Sequence, residues 1–283
     1  MWANVILVIM YNKALHESTT LDTISNYYFN NTKLVIHNNG PREITYEREF
    51  LSKLECCFDN QVELINCLDN WPLSIIYNEF FLKYNNAGKF IILDDDTEIS
   101  ESFIDAIKSS YVDLELPKII STSDKKIYYP VCKSGIVTTD TDLDSESALS
   151  IGSGLIINRT LVEKFKKHNL KPFDEHYALY GVDFSLFRRI YKIVSKGENV
   201  SVRSSSFLMH SLSRLDQSEN KNDFRTRERA LDIAISARRY PSLYLYYKFF
   251  SGIISEFMKM KWGNVFSMIK AYFLGVHPKC YKN

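Results

Sequence analysis

The sequence predicts an α/β fold with a mostly parallel central sheet flanked by helices and followed by a C-terminal helical extension. Three observations predict it. Short apolar runs alternate with amphipathic stretches through the first hundred residues, the rhythm of βα units. The runs are apolar without alternation, as in strands covered on both faces. Beyond Asp216 the chain turns to helical spacing rich in Arg and Tyr.

Taken in order, residues 5–10 form the first strand and 15–27 the first helix. A second strand at 34–37 leads to a helical stretch near 43–54, and a third strand at 62–66 to a helix over 73–84. The fourth strand, 90–93, ends in Asp94-Asp95-Asp96. Then follow a helix at 103–110, short strands at 118–122 and 126–131, and an acidic loop at 138–147. Residues 148–158 read as a strand interrupted by Gly152-Ser153-Gly154, and 161–167 as a helix. An aromatic, acidic loop at 173–181 precedes Val182, Leu186, Ile190 and Ile193, which recur at helical spacing. A last strand at 200–209 closes at His210. The expected division is an α/β domain over 1–220 and a basic, aromatic helical extension over 221–283.

With 283 residues, 45% hydrophobic and 24% charged, the chain is long enough to bury a core. The net charge of +1 argues against a dedicated nucleic-acid binder, and no groove-reading motif is present. That balance hides an asymmetry: residues 221–283 carry +8 and residues 1–220 carry −7. A basic tail behind an acidic body suggests an anionic surface as partner. Five Cys, two of them adjacent, do not suggest a disulfide framework, and each reads as a buried small apolar side chain. Nothing at the N-terminus has the form of a signal peptide, and no stretch reaches transmembrane length, so the expected location is cytoplasmic.

In open α/β sheets ligands sit beyond the carboxyl ends of the strands, where the acidic triplet falls. Adjacent carboxylates repel unless a cation or hydrogen-bond donors compensate. Alternate residues of an extended segment point the same way, so Asp94 and Asp96 are expected to converge. Two hard oxygen ligands suit Mg²⁺ or Mn²⁺, with diphosphate oxygens completing the shell. The structural alternative is a solvated acidic turn or the first turn of a helix.

The triplet has ordered company. The segments VILVIMYN (5–12), LVIHNNG (34–40), NWPLSIIYN (70–78) and FIILDDDTEI (90–99) follow one another, then Ser153-Gly154, Phe173-Asp174-Glu175, Tyr180-Gly181-Val182-Asp183, Arg189 and His210. Over roughly residues 3–215 this set resembles the family 2 glycosyltransferases, and most closely the bacterial rhamnosyltransferase-like enzymes of surface-polysaccharide assembly. The resemblance implies a GT-A fold. It also implies transfer of a sugar from a nucleotide-diphosphate donor to a saccharide acceptor, lipid-linked in that subgroup. It places the catalytic base at Asp183 and a divalent metal at Asp94, Asp96 and His210. Tyr11, Asn12, Asn38, Asn78, Asp94, Ser153 and Gly154 fall at donor positions, and Asp174, Glu175 and Arg189 on the acceptor side. Two departures stand out. Asn38 replaces the Asp often found at the base-contacting position, and Val182 replaces the acidic residue often found before the base.

Each residue also has a structural reading. Asp183 heads a helix, where the macrodipole favours an ionised carboxylate whatever its role. The functional reading is a general base that takes a proton from an acceptor hydroxyl. His210 is either a satisfied strand-end histidine or a neutral imidazole beside metal or phosphate. Tyr11 is either core or a stacking platform for the base, and Ser153-Gly154 either a bulge or a close approach to the donor sugar. In the tail, basic residues interleaved with Tyr, Trp and Phe suit an interfacial helix on anionic lipid, and equally a packed helix with a solvated basic face. A metal-dependent nucleotidyltransferase is the rival enzyme, but the segment after the first strand (Asn12 to His16) lacks the glycines a triphosphate loop needs. A catalytically silent scaffold of the same fold is the rival without turnover.

Overall fold

The structure is a computed structural model; it describes residues 2–45, 47–212 and 219–282, with the side chains of 219–222 and 282 excepted. The chain divides into two compact units. One comprises Met1–Asn70, Glu79–Pro172 and Arg189–Ser213, the other Trp71–Asn78, Phe173–Arg188 and Arg214–Asn283.

All the strands described lie in the first unit. They are β1 (Asn4–Met10), β2 (Thr32–Asn38), β3 (Val62–Asn66), β4 (Lys89–Asp94), β5 (Thr97–Ile99), β6 (Leu114–Glu115) and β7 (Lys118–Ser121). Then come β8 (Ile127–Tyr129), β9 (Val131–Cys132), β10 (Gly135–Ile136), β11 (Thr141–Leu143), β12 (Leu155–Asn158), β13 (Val202–Ser204) and β14 (Phe207–His210). The main sheet has the order β11-β13-β6-β12-β4-β1-β2-β3. Its β4-β1-β2-β3 portion is parallel, and β12 runs antiparallel to both β4 and β6. All seven residues of β1 are buried, which explains the unbroken apolar run: a central strand has no solvent face. Each of the six apolar side chains, Val5 to Met10, contributes roughly 1.5–3 kcal/mol on burial. Because β1 sits between β2 and β4, the chain reverses its winding there, and that switch point opens a crevice at the strands' carboxyl ends.

A smaller sheet, β5-β14-β7-β8, carries the continuation of two main-sheet strands. The run at 200–209 is two strands, not one. β13 pairs with β6 in the main sheet and β14 pairs with β7 in the small one. The break falls at Ser205, whose N–H and hydroxyl both donate to the buried carboxylate of Glu115, at 2.6 and 2.8 Å. The partner strand breaks at Pro117, which has no N–H to give a ladder.

Other elements differ from the sequence pattern in instructive ways. The helix expected at 15–27 is a single 3₁₀ turn at Leu15–Glu17 followed by α1 (Thr19–Ile24). The stretch at 43–54 becomes α2 (Arg48–Cys57), because Ile44 N–H donates to Asn66 Oδ1 and holds the preceding residues out of the helix. Of 148–158 only β12 is strand; Gly154, at φ +91°, separates it from what precedes. The acidic loop at 138–147 contributes β11, an edge strand against β13. None of the five Cys is fully buried: Cys56 is exposed, the others partly so, and all are free thiols.

The remaining helices are α3 (Leu73–Lys83), α4 (Glu101–Ser109), α5 (Arg159–Lys167), α6 (Val182–Val194), α7 (Glu219–Arg239), α8 (Leu243–Met258) and α9 (Trp262–Leu274). In the second unit α7 packs against both α8 and α9. Ser242 caps α8 by accepting from Leu245 N–H, and Gly275 ends α9 in the left-handed conformation at φ +65°. No helix among the described residues is long and apolar enough to cross a membrane.

Candidate functional site

β1 and β4 run parallel with Ile9 beside Asp94, so the segments leaving both strands meet at the switch point. The triplet then divides its labour. Asp95 turns back toward β1: its carboxylate accepts from Lys13 Nζ at 2.5 Å and from Tyr11 N–H at 3.2 Å. Its carbonyl accepts from Ser18 Oγ at 3.0 Å, and that same Ser18 oxygen caps α1 by accepting from Leu21 N–H. Thr20 Oγ1 donates to the Asp94 carbonyl at 2.5 Å and accepts from Thr97 N–H at 2.9 Å. The turn over residues 95–96 is therefore pinned from the start of α1.

Asp94 and Asp96 converge with His210. One ligand atom from each lies within 4.8 Å of the others. Asp96 Oδ1 is 3.2 Å from His210 Nδ1, and Asp94 Oδ2 is 3.8 Å from His210 Nε2. The convergence comes from the turn and from the antiparallel pairing of β5 with β14, which sets His210 opposite Thr97. Behind the group runs a hydroxyl chain: Thr97 Oγ1 lies 3.0 Å from His210 Nδ1 and 2.7 Å from Ser153 Oγ, and Ser153 Oγ accepts from Asp94 N–H at 3.0 Å.

Burial pushes the Asp96 carboxyl above the usual range, against the pull of His210, and pushes the His210 imidazole below its ordinary value, against the pull of Asp96. A neutral imidazole keeps a nitrogen lone pair for a metal. Two carboxylates crowded into a partly buried site are stabilised as anions by a cation between them. The donor set of two carboxylates and one imidazole fits Mg²⁺ or Mn²⁺.

A cleft of about 200 Å³ opens on the segments that follow β1 and β2, lined by residues that include Asn12, Lys13, Glu17, Arg42, Thr45 and Glu47; Lys13 ties its lining to the acidic turn through Asp95. Asn12 takes up φ +54°, and its N–H donates to the Gly40 carbonyl at 2.8 Å, tying the segment after β1 to the one after β2. Glu47 accepts from Leu15 N–H at 2.9 Å and meets His16 Nδ1 at 2.7 Å. Of the sequence-selected donor residues, Asn12 lines the cleft and Tyr11 stands exposed beside it. Asn38 is only 1% exposed, and its amide is engaged internally: Nδ2 donates to the Arg42 carbonyl and to Asn66 Oδ1, both at 2.7 Å, while Oδ1 accepts from Gly40 N–H at 3.0 Å. It shapes the loop that carries Arg42. Ser153 is fully buried in the hydroxyl chain. A Cβ on Gly154 would lie 2.5 Å from Leu208 Cδ1 and 2.6 Å from Pro117 Cγ. Arg189 donates to the Lys171 carbonyl.

The other selected residues lie in the second unit. Asn78 is buried; its Nδ2 donates to the Phe173 carbonyl at 2.9 Å and to Glu175 Oε1 at 3.1 Å, and its Oδ1 accepts from Phe173 N–H at 3.1 Å. Asp174 is completely buried. It accepts from Arg239 Nε at 2.9 Å and Tyr240 Oη at 2.8 Å, and lies 2.6 Å from His176 Nδ1. Asp183 stands half-buried in the first turn of α6, after Gly181 at φ +83°. Ser185, two residues on, donates to the Val182 carbonyl at 2.6 Å and accepts from Asp174 N–H at 3.0 Å.

Sequence reading has Thr97 only as part of the 90–99 motif, without a role, and passes over Thr20, Ser18 and the pairing of Lys13 with Asp95. Ser and Thr are common, and these contacts span 56 to 113 residues, so no local pattern marks them.

No protein-family model and no curated protein matches the chain. Its fold does match solved structures. S. aureus TarS 1–349 in complex with UDP-GlcNAc aligns with a TM-score of 0.54 at 11% identity, over 99% of this chain and 83% of that one. The UDP complex of the same fragment aligns at 0.51 and 14%, over 82% and 65%. GalNAc-T7 with UDP, GalNAc and Mn²⁺ aligns at 0.51 and 13%, over 84% of this chain and 51% of that one. The chain thus spans about two thirds of the TarS fragment in one alignment and about half of GalNAc-T7. At such identities the likeness is one of fold: the GT-A type, with a mostly parallel sheet flanked by helices and helices following it.

Proposed function

We propose that the chain is an inverting glycosyltransferase. In this reading it moves a sugar from a nucleotide-diphosphate donor, dTDP-rhamnose or a UDP-hexose, to a saccharide acceptor on a lipid carrier. The setting is surface-polysaccharide assembly at the inner face of the cell membrane. The observation that carries the reading is the convergence of Asp94, Asp96 and His210; a cleft lined by Asn12, Lys13 and Arg42 reaches the same acidic turn through the Lys13–Asp95 pair. The fold shared with structures holding UDP, UDP-GlcNAc and Mn²⁺ supports it.

The cleft would take the nucleotide, with Tyr11 against the base and Arg42 and Lys13 supplying charge for the phosphates. Asp94, Asp96 and His210 would hold a divalent cation, which when bound neutralises charge on the departing diphosphate. Asp183 takes the proton from an acceptor hydroxyl as its oxygen bonds to the anomeric carbon. The bond from that carbon to the diphosphate oxygen breaks, and the nucleoside diphosphate leaves with the electron pair. A single displacement inverts the anomeric centre. In this reading the family resemblance assigns Ser153 and Gly154 to the donor sugar, and Asp174, Glu175 and Arg189 to the acceptor, Asp174 as a positioning residue.

The test is ligand-detected binding of UDP, dTDP, GDP and their common sugars, with Mn²⁺ and then with EDTA. Metal-dependent binding of one nucleotide, lost in Asp96→Ala, is the expected result. Transfer that Asp183→Asn abolishes, with donor binding intact, then assigns the base. Absence of binding to every nucleotide overturns the reading. A product with retained anomeric configuration overturns inversion, and nucleotide binding without transfer to a broad acceptor panel favours the scaffold.

A further inference from the structure

We propose that the outward stripe of the α8–α9 hairpin is a membrane-docking face that lies in the headgroup region of an anionic bilayer. This deepens the membrane part of the proposed function, and it is measured without nucleotide or acceptor, so its failure and that of sugar transfer are distinguishable.

Half of the large apolar side chains exposed among the described residues fall between 243 and 274. They are not scattered. On α8 they stand at Leu243, Tyr247, Phe250, Ile254 and Phe257, spaced four and three residues apart along one face. On α9 they stand at Trp262, Phe266, Ile269 and Phe273 with the same spacing. The opposite faces are already used: Phe249, Val265, Met268 and Ala271 are buried. The stripes join at the turn, where the Phe257 and Trp262 rings meet edge-on at 4.8 Å. Leu243 is 90% exposed and Phe273 73% exposed, far more than a folding core leaves open.

Charge selects the occupant. Residues 243–283 contain six Lys and one acidic residue, Glu256. Glu256 is buried and accepts from Asn264 at 2.6 Å and Lys259 at 3.3 Å. Lys248 and Lys270 are exposed on the two helices that carry the stripes. A second copy of the chain docked on this face by two-fold symmetry would set lysines against lysines with no outward acid on α8 or α9 to pair them; the exposed Asp223 of α7 is already engaged by Lys261 at 2.5 Å. Protein interfaces are depleted in Lys. An anionic bilayer satisfies both features at once: apolar rings enter the acyl boundary, and lysine stems reach to the phosphates. The helices, of 16 and 13 residues, are about 24 and 20 Å long, short of a hydrocarbon core of about 30 Å, so the hairpin lies on the bilayer and does not cross it.

The test is co-sedimentation of the full chain with phosphatidylcholine vesicles, with and without 30% phosphatidylglycerol. Wild type is expected to bind the anionic vesicles, and bromine-labelled lipid tails to quench fluorescence in a manner lost in Trp262→Phe. Phe250→Ser with Phe266→Ser should lower partitioning by roughly tenfold or more at unchanged circular dichroism. Lys248→Gln and Lys270→Gln should each lower binding to anionic vesicles about fivefold and leave neutral vesicles unaffected. Absence of binding to anionic vesicles overturns the proposal, as does equal binding by the double serine variant. A vesicle-free dimer that this variant dissociates assigns the face to a second copy and overturns it as well.

Discussion

His210 Nδ1 stands 3.0 Å from Thr97 Oγ1 and 3.2 Å from Asp96 Oδ1, so one ring nitrogen faces both a hydroxyl chain and a candidate metal ligand. The chain through Thr97 and Ser153 ends on the backbone of Asp94. The imidazole and the backbone of Asp94 are thus tied into one buried hydroxyl chain, the kind of outer-partner arrangement that tunes a metal site.

Thr97→Val keeps the shape and removes the hydroxyl that links His210 to Ser153. Mn²⁺ affinity is expected to fall about 10- to 100-fold with the fold intact. Paramagnetic titration of free Mn²⁺ measures it, and unchanged affinity would make the network packing alone.

Gly154→Ala meets two obstacles: φ is +91°, and the new Cβ would sit 2.5 Å from Leu208 Cδ1. Strain and overpacking together are expected to cost about 2–4 kcal/mol. Urea unfolding reads the loss; a variant as stable as wild type would show that the segment before β12 yields freely.

Asp174→Asn removes the charge that faces Arg239 and His176 in a fully buried place. Breaking such a pair typically costs about 3–5 kcal/mol. Thermal unfolding should show the loss with no nucleotide present, and a loss of transfer at unchanged stability would instead place Asp174 in contact with acceptor.

His37, on β2, is held to about 4 by burial and by the nearby Lys83 charge, and its Nε2 is buried without a hydrogen-bond partner among the described residues. The unfolded chain binds a proton near the ordinary 6.5 and the folded chain only near 4. Stability is therefore highest above the unfolded value and falls as pH drops through that window, by about 3 kcal/mol in all. His37→Phe should flatten the dependence in urea titrations between pH 4 and 7. An unchanged slope would assign it to other groups.

The sheet's parallel half was legible because buried strands impose a pattern that solvent cannot alter: the runs at 5–10 and 62–66 fall inside or on β1 and β3. Asp94 and Asp96 were legible for a similar reason, since a strand's end locates its next residues at the switch point whatever the rest of the chain does. His210 was legible only through its place in an ordered set of motifs. What tertiary structure alone decided is which partner each polar group found. Asp95 went to Lys13, Asn38 to Arg42 and Asn66, and Asp174 to Arg239 and Tyr240. Apart from Asn38–Arg42, four residues apart, these hydrogen bonds cross 28 to 82 residues and leave no periodicity in the sequence, because each is satisfied by one distant atom and not by a repeating face. The division of 200–209 between two sheets belongs to the same class: a buried Glu115 fixed the break, and only the folded chain brought it to Ser205.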